Sequence, residues 1–329
     1  MLEAVFNKVA FMKRIVISIM ILTGVFSAQA QNTPFFGHYM FNPTYFNPAW
    51  GSNESQAFVA FQHKTQWLGY NTSFDGSGGA PSTQMLTSVV PIKNFPLSSV
   101  GLNVVNDNLG PLTNMQLSLP LTYSLSMRSG SLGVGVSPML FSQTMRFDEL
   151  RFNDPSDPLN RGGRQSQIMF NLNAGLIYKG NNGLFVGAAV QNITEPGFDF
   201  GQTELENKVE MTYAVHAGHR FVVNSQLSIS PTVLVRTNLS TYTYDVGAIV
   251  SIGERIWTGL SYRRQESSIL YLGYSLLQNK ELKVGYSFDY VFVGQEAKAV
   301  TSHEIFVRYD LPDLIFGGRK KVKTPRFSF

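Results

Sequence analysis

The chain has 329 residues, of which 15% are charged and 13% aromatic, with a formal net charge of +4 and no cysteine. A soluble domain usually carries about a quarter charged residues, so sparse charge with many rings argues against an ordinary water-facing surface and for one set in lipid between aromatic girdles. The missing cysteine excludes disulfides, thiolate metal sites, a cysteine nucleophile and an acylated lipoprotein N-terminus, and charges so near balance give no reason to expect nucleic acid.

Lys8, Lys13 and Arg14 precede the apolar run 15–26, and Ala28-Gln29-Ala30 follows it. A basic region, a short apolar region and a small-x-small site predict a secretory signal peptide over 1–30, a mature start at Gln31 and Met12 as a plausible initiator. The apolar run is short for a membrane helix, and no later stretch approaches about 20 apolar residues. Any membrane location therefore requires a closed barrel, the one other structure that satisfies its backbone in lipid.

Residues 31–53 are crowded with rings (Tyr39, Phe41, Tyr45, Phe46 and Trp50 among them) and interrupted by Pro34, Pro43 and Pro48. The prolines forbid a long helix, and the rings will not stay in water, so an irregular hook packed into or under a larger body is expected.

Strict alternation begins downstream. Met115, Leu117, Leu119, Leu121, Tyr123, Leu125 and Met127 alternate with Gln116, Ser118, Pro120, Thr122, Ser124 and Ser126, which puts all the large apolar groups on one face of a strand. Pro120 removes one ladder donor. The same period recurs in Phe170–Tyr178, Tyr242–Val250 and Leu282–Tyr290, the last placing Lys283 and Asp289 on the inner face, where they need water or a partner of opposite charge. Alternation alone leaves a soluble sandwich possible, with the faces inverted. Connection lengths favour the barrel. About fourteen strands are predicted between residues 56 and 310; tight links at 128–130, 180–182, 223–225 and 278–280 alternate mostly with longer ones at 68–82, 145–166, 193–209 and 293–301. This is the pattern of an all-β, transmembrane, up-and-down antiparallel barrel with periplasmic short turns. An even strand count puts both termini on the periplasmic side. The predicted parts are then a signal peptide (1–30), a hook or plug (31–53), an outer-membrane barrel (54–310) and a basic periplasmic tail (311–329).

Little suggests chemistry. His216 and His219 resemble a metal pair, but their odd offset points them to opposite faces of a strand. No G-x-S-x-G nucleophile elbow is present, and the histidines and serines are scattered, so no catalytic site, metal or cofactor is expected. The glycine-rich stretch 76–79 lacks the Gly-Lys-Ser/Thr of a phosphate loop. Asn106-Asp107-Asn108 and the acidic turn with Asp154 and Asp157 carry oxygen ligands of the kind calcium takes, and acidic turns are common without it. Arg319, Lys320, Lys321, Lys323 and Arg326 make a dense basic tail suited to an acidic partner or lipid headgroups.

Several motifs resemble one family. Tyr39-Met40-Phe41-Asn42-Pro43 followed by Asn47-Pro48-Ala49-Trp50, then Gln66-Trp67-Leu68-Gly69-Tyr70 and Gly79-Ala80-Pro81-Ser82-Thr83-Gln84, are similar to the opening blocks of the PorP/SprF family of Bacteroidetes membrane proteins. Asn106 to Pro111, the Asp154–Pro158 loop and Pro325-Arg326-Phe327 look like its later turns and ending. The resemblance implies a role in the type IX secretion system, which exports adhesins, enzymes and gliding-motility proteins. It implies partners among the periplasmic ring, the outer-membrane translocon or one secreted cargo protein. The competing expectation is a transporter or porin for small solutes. Asp154, Asp157 and the basic tail are the candidate partner contacts, with the loops 145–166 and 193–209 expected to face outward. A filled lumen favours the first reading and an open polar lumen the second.

Overall fold

The computed structural model describes residues 34, 36–70, 79–93, 96–150, 162–200, 207–295 and 298–311. The leader, the acidic turn with Asp154 and Asp157, residues 76–78 of the glycine-rich stretch and the basic tail lie outside the described residues. The described fold lies within residues 32–329.

Fourteen antiparallel strands close into a barrel among the described residues. They are β1 (Ala57–Thr65), β2 (Ser82–Pro91), β3 (Ser99–Leu109), β4 (Leu112–Ser118 continuing as Leu121–Met127), β5 (Gly130–Arg146), β6 (Arg164–Gly180), β7 (Leu184–Gln191), β8 (Thr212–His219 continuing as Phe221–Val222), β9 (Leu227–Thr237), β10 (Tyr242–Ile252), β11 (Ile256–Arg263), β12 (Ser267–Leu276), β13 (Leu282–Val291) and β14 (Thr301–Leu311). Each strand pairs with its neighbours in sequence, and β1 closes on β14 with Ala57 opposite Leu311. Pro120 interrupts β4 because it has no N–H to give. Its carbonyl instead accepts the Gly101 N–H at 2.7 Å, and Leu119 donates to Pro138 O at 3.0 Å.

Which face meets water or lipid decides between membrane barrel and soluble sandwich. On β4, Met115, Leu117 and Leu125 are 49%, 38% and 42% exposed, while Gln116, Ser118 and Thr122 are 7%, 6% and 1% exposed. The polar face is inside and the apolar face outside, the reverse of a soluble protein. The pattern holds around the wall: Phe170, Val246, Leu260, Leu272 and Tyr286 face out, while Asn171, Asp245, Ser261 and Asp289 face in. Replacing Leu260, mid-strand on β11, with arginine is therefore expected to destabilise the barrel folded in lipid vesicles by about 2–4 kcal/mol. Urea titration in vesicles measures this, and an unchanged midpoint would place Leu260 outside the hydrocarbon.

One rim carries the short turns, such as 128–129, 181–183, 253–255 and 277–281, together with both chain ends of the barrel. The other carries the long connections 66–81, 147–163, 192–211 and 292–300. β5 and β6 are the longest strands at 17 residues each. At about 3.4 Å per residue they far outrun an apolar band of about 25 Å, even when tilted. Their paired ends at Arg146 and Arg164 carry the hairpin beyond the long-loop rim.

Candidate functional site

The lumen holds the chain's own residues 36–53. Two prolines shape this hook. Pro43 and Pro48 each stand in the first turn of a short 3-10 helix, Pro43–Tyr45 and Pro48–Asn53, where a fixed φ and a missing donor do no harm. Asn47 caps the second, its Oδ1 accepting the Ala49 N–H at 2.9 Å. The result is a knot of two tight turns whose side chains point in every direction.

Those side chains meet the wall nearly all the way round. Glu304 of β14 accepts the N–H groups of Gly37 (2.6 Å) and His38 (2.9 Å), and His38 Nδ1 lies 2.7 Å from its Oε1. Gln62 of β1 donates to the same carboxylate at 3.2 Å. On the neighbouring arc, Arg263 of β11 donates to the Phe36 carbonyl at 3.0 Å while its Nε sits 2.7 Å from Asp245 of β10. Tyr271 of β12 donates to Gly37 O at 3.0 Å, and the Tyr39 hydroxyl lies 3.0 Å from the Thr232 hydroxyl of β9. Asn42 donates to Gln62 (3.0 Å) and to Thr87 of β2 (2.7 Å), and Tyr45 donates to Gln116 of β4 at 3.2 Å. Asn47 donates to Leu176 O of β6 at 2.9 Å and lies 2.8 Å from His216 Nε2 of β8. Gln191 of β7 and Ser99 of β3 donate to the carbonyls of Tyr45 and Gly51 at 2.9 and 2.8 Å. Buried polar groups are tolerated when paired, and here the pairing ties the hook to the wall.

Packing does the rest. Phe36, Tyr39, Tyr45 and Phe46 form a buried cluster with Met85, Val105 and Leu234 from the wall, while Phe41 packs on Phe58, Val89 and Phe306. Under the second turn the wall gives up its side chains altogether. Gly135 of β5 lies opposite Gly175 of β6. A Cβ built at Gly135 would stand 2.6 Å from Ala49 Cα, and one at Gly175 would collide with the Asn47 side chain. The Asn-Pro-Ala stretch can rest against the sheet because no side chain intervenes.

Two lysines of the inner face find acids on nearby strands. Lys64 Nζ lies 3.0 Å from Asp289 and Lys283 Nζ lies 2.7 Å from Asp310. The short alternation around Lys283 and Asp289 hints at this. No local signal announces Glu304, Arg263 or Asp245, whose partners lie up to 267 residues away.

The motif residues divide between two places. Tyr39, Met40, Phe41, Asn42, Pro43, Asn47, Pro48 and Trp50 belong to the hook. Gln66, Trp67, Gly69, Pro81 and Gln84 build the long-loop rim: Gln66 N donates to Pro81 O at 2.8 Å, and Trp67 N to Ser302 Oγ at 3.0 Å. Trp67 and Gly69 both hold positive φ, which glycine alone adopts without strain. Gln84 reaches Asn106 on the outer face, whereas Asp107 points inward to the Thr83 hydroxyl at 2.6 Å. Asn106 and Asp107 are thus not brought together. Nor are His216, which faces Asn47 and Trp50, and His219, which packs on Phe221.

The loop after β7 differs from its expected outward course. Gly197–Phe198 pairs with Asn207–Lys208, and Phe198 is fully buried with Met139, Phe141 and Val209. Gln167 accepts the N–H groups of Asp199 and Phe200. An aromatic side chain seeking apolar cover turns this part of the loop into the mouth of the barrel.

At the opposite, chain-end rim a cavity of about 610 Å³ lies beneath the hook. Its mouth is ringed by ion pairs. Glu254 lies 2.8 Å from Lys280 and 3.8 Å from Arg220; the hydrogen bond from Lys280, aided by the charges of both cations, holds the Glu254 carboxyl below its ordinary range. Asp310 lies 2.7 Å from both Lys283 and Arg308, and Arg308 also reaches Glu54 at 3.4 Å.

Against known proteins, the profile described as type IX secretion system membrane protein PorP/SprF matches residues 28–309. No curated protein matches the chain. Among solved structures, the barrel is similar to the TodX deltaS2S3 mutant monoaromatic hydrocarbon channel. That match has 9% identity and a TM-score of 0.52, over 88% of this chain and 97% of that one. It is also similar to a Pseudomonas aeruginosa FadL homologue, with 13% identity and a TM-score of 0.48 over 86% and 96%. At such identities the likeness concerns fold alone.

Proposed function

We propose that this chain, which belongs to the PorP/SprF family of type IX secretion system membrane proteins, serves that system as an outer-membrane accessory barrel acting by protein–protein contact. Its family is a secretion-system membrane barrel rather than an enzyme family, and membership implies other secretion components as partners. The observation that carries the reading is the hook. A solute channel needs a continuous path from rim to rim, and among the described residues 36–53 occupy that path with hydrogen bonds to strands on all sides. A barrel filled this way offers its two rims rather than its lumen. The chain-end rim faces the periplasm in this reading, and the basic residues 319–326, which follow β14 in sequence, are the candidate contacts for ring components. The long-loop rim faces outward, where cargo passes, and Asp154 and Asp157, which fall between β5 and β6 in sequence, are the candidate contacts there.

Gentle affinity purification from native outer membranes, followed by mass spectrometry, tests the proposal. Ring components, translocon components or one large secreted protein are expected in stoichiometric amounts. A barrel that purifies alone would overturn it and favour solute transport. Removing 319–329 is expected to weaken capture of periplasmic partners while leaving the barrel inserted; unchanged capture would clear the tail of that role.

A further inference from the structure

Within residues 36–52 the hook is buried almost throughout, and its three incompletely covered residues are Met40, Phe41 and Trp50. All three line the cavity at the chain-end rim, beside Phe185 and Trp257 of the wall. An apolar floor left uncovered inside a recess of about 610 Å³ has the size and composition of a ligand site. The hook closes the recess above, so whatever enters must leave the way it came.

The charge at the mouth narrows the ligand further. Glu254 is shared by Lys280 and Arg220, and Asp310 by Lys283 and Arg308. With Glu54 as the remaining acid, four cations face three carboxylates among the described residues of the lining. The surplus is positive, and two carboxylates each hold two cations, an arrangement that can admit a further carboxylate between them.

We propose that this recess receives the carboxyl-terminal end of a partner polypeptide, seating an aromatic or long aliphatic side chain on Met40, Phe41 and Trp50 and its terminal carboxylate among Lys280, Lys283 and Arg220. A dead-ended pocket with an apolar floor and a cationic lip takes a chain end rather than a continuous chain. The inference deepens the secretion reading and rests on it: the partner is a component or cargo that presents its end at the chain-end rim.

The test uses the full-length barrel in living cells, with photoreactive benzoylphenylalanine replacing Phe185 in one strain and Asn279 in another. Irradiation followed by peptide mapping is expected to show both positions cross-linked to the last few residues of one partner protein. The double charge reversal Lys280→Glu, Lys283→Glu is expected to lower the yield from Phe185 about ten-fold. Cross-links to lipid, to residues 312–329 of the same chain, to internal partner segments or to nothing would overturn the proposal, as would a yield indifferent to the charge reversal. Co-purification of secretion components from the same cells is scored separately. If it persists while the cross-link is absent, the recess has failed and the accessory role stands; if both are lost, the accessory role has failed.

Discussion

Gly135→Val is expected to drive the hook out of its seat and destabilise the barrel by about 3 kcal/mol or more. The atoms that a Cβ would meet are the backbone of Pro48 and Ala49, which unlike a flexible side chain have nowhere to swing. Moving them disturbs Asn47, whose amide bridges Leu176 O and His216, and Trp50, which lies against the His216 ring. Two readouts check this. The unfolding midpoint on a heat-modifiability gel falls, and residues 36–53 become open to protease from the chain-end rim. The control is Gly79→Val, where a built Cβ meets no atom within 4 Å and little change is expected. A Gly135→Val protein with wild-type midpoint and a protected hook would show that Asn47–Ala49 does not rest on that glycine.

Glu304→Ala is the second large effect. The carboxylate accepts two backbone N–H groups, the His38 ring and the Gln62 amide, all shut away from water. Truncation leaves those donors buried without an acceptor, at roughly 1–3 kcal/mol each where water does not replace it. Breaking a buried charged interaction from one side typically costs about 3–5 kcal/mol. Glu304→Gln keeps one acceptor oxygen and is expected to lose less than half as much. Hydrogen exchange separates this local effect from general loosening: the Gly37 and His38 amides should lose protection first in Glu304→Ala, ahead of the strand amides of β13 and β14. Equal loss everywhere would mean that Glu304 stabilises the wall and not the hook.

The wall is legible in the sequence because it obeys a period of two. The alternating run Phe170–Tyr178 falls within β6, Arg164–Gly180, and the run Leu282–Tyr290 within β13, Leu282–Val291. Exposed leucines and Tyr123 opposite buried Gln116, Ser118 and Thr122 are already written in the alternation of residues 115–127. The loop after β7 is less legible, since Phe198 has no local cue telling it to turn inward. The hook's composition announces that it needs cover, and its contacts are illegible for a physical reason: Glu304, Arg263 and Gly135 lie far along the chain from residues 36–53, and nothing local distinguishes a lumen-facing glutamate from a rim one. One subtler cue does exist. Gly133, Gly135 and Gly175 occupy inward positions of adjacent strands, and so much missing volume on one inner face means that something else fills it.

Glu304 belongs to the last strand and the hook precedes the first, and the seam between β1 and β14 runs beside their junction. A finished cylinder would have to admit a knot of rings and amides through a crowded opening. The simpler order of events has the early segment waiting in place while successive hairpins gather around it, with Glu304 gripping it as the final edge arrives. In that history the segment is a mandrel: the wall is wound on it, and closure of the seam is the step that locks it in.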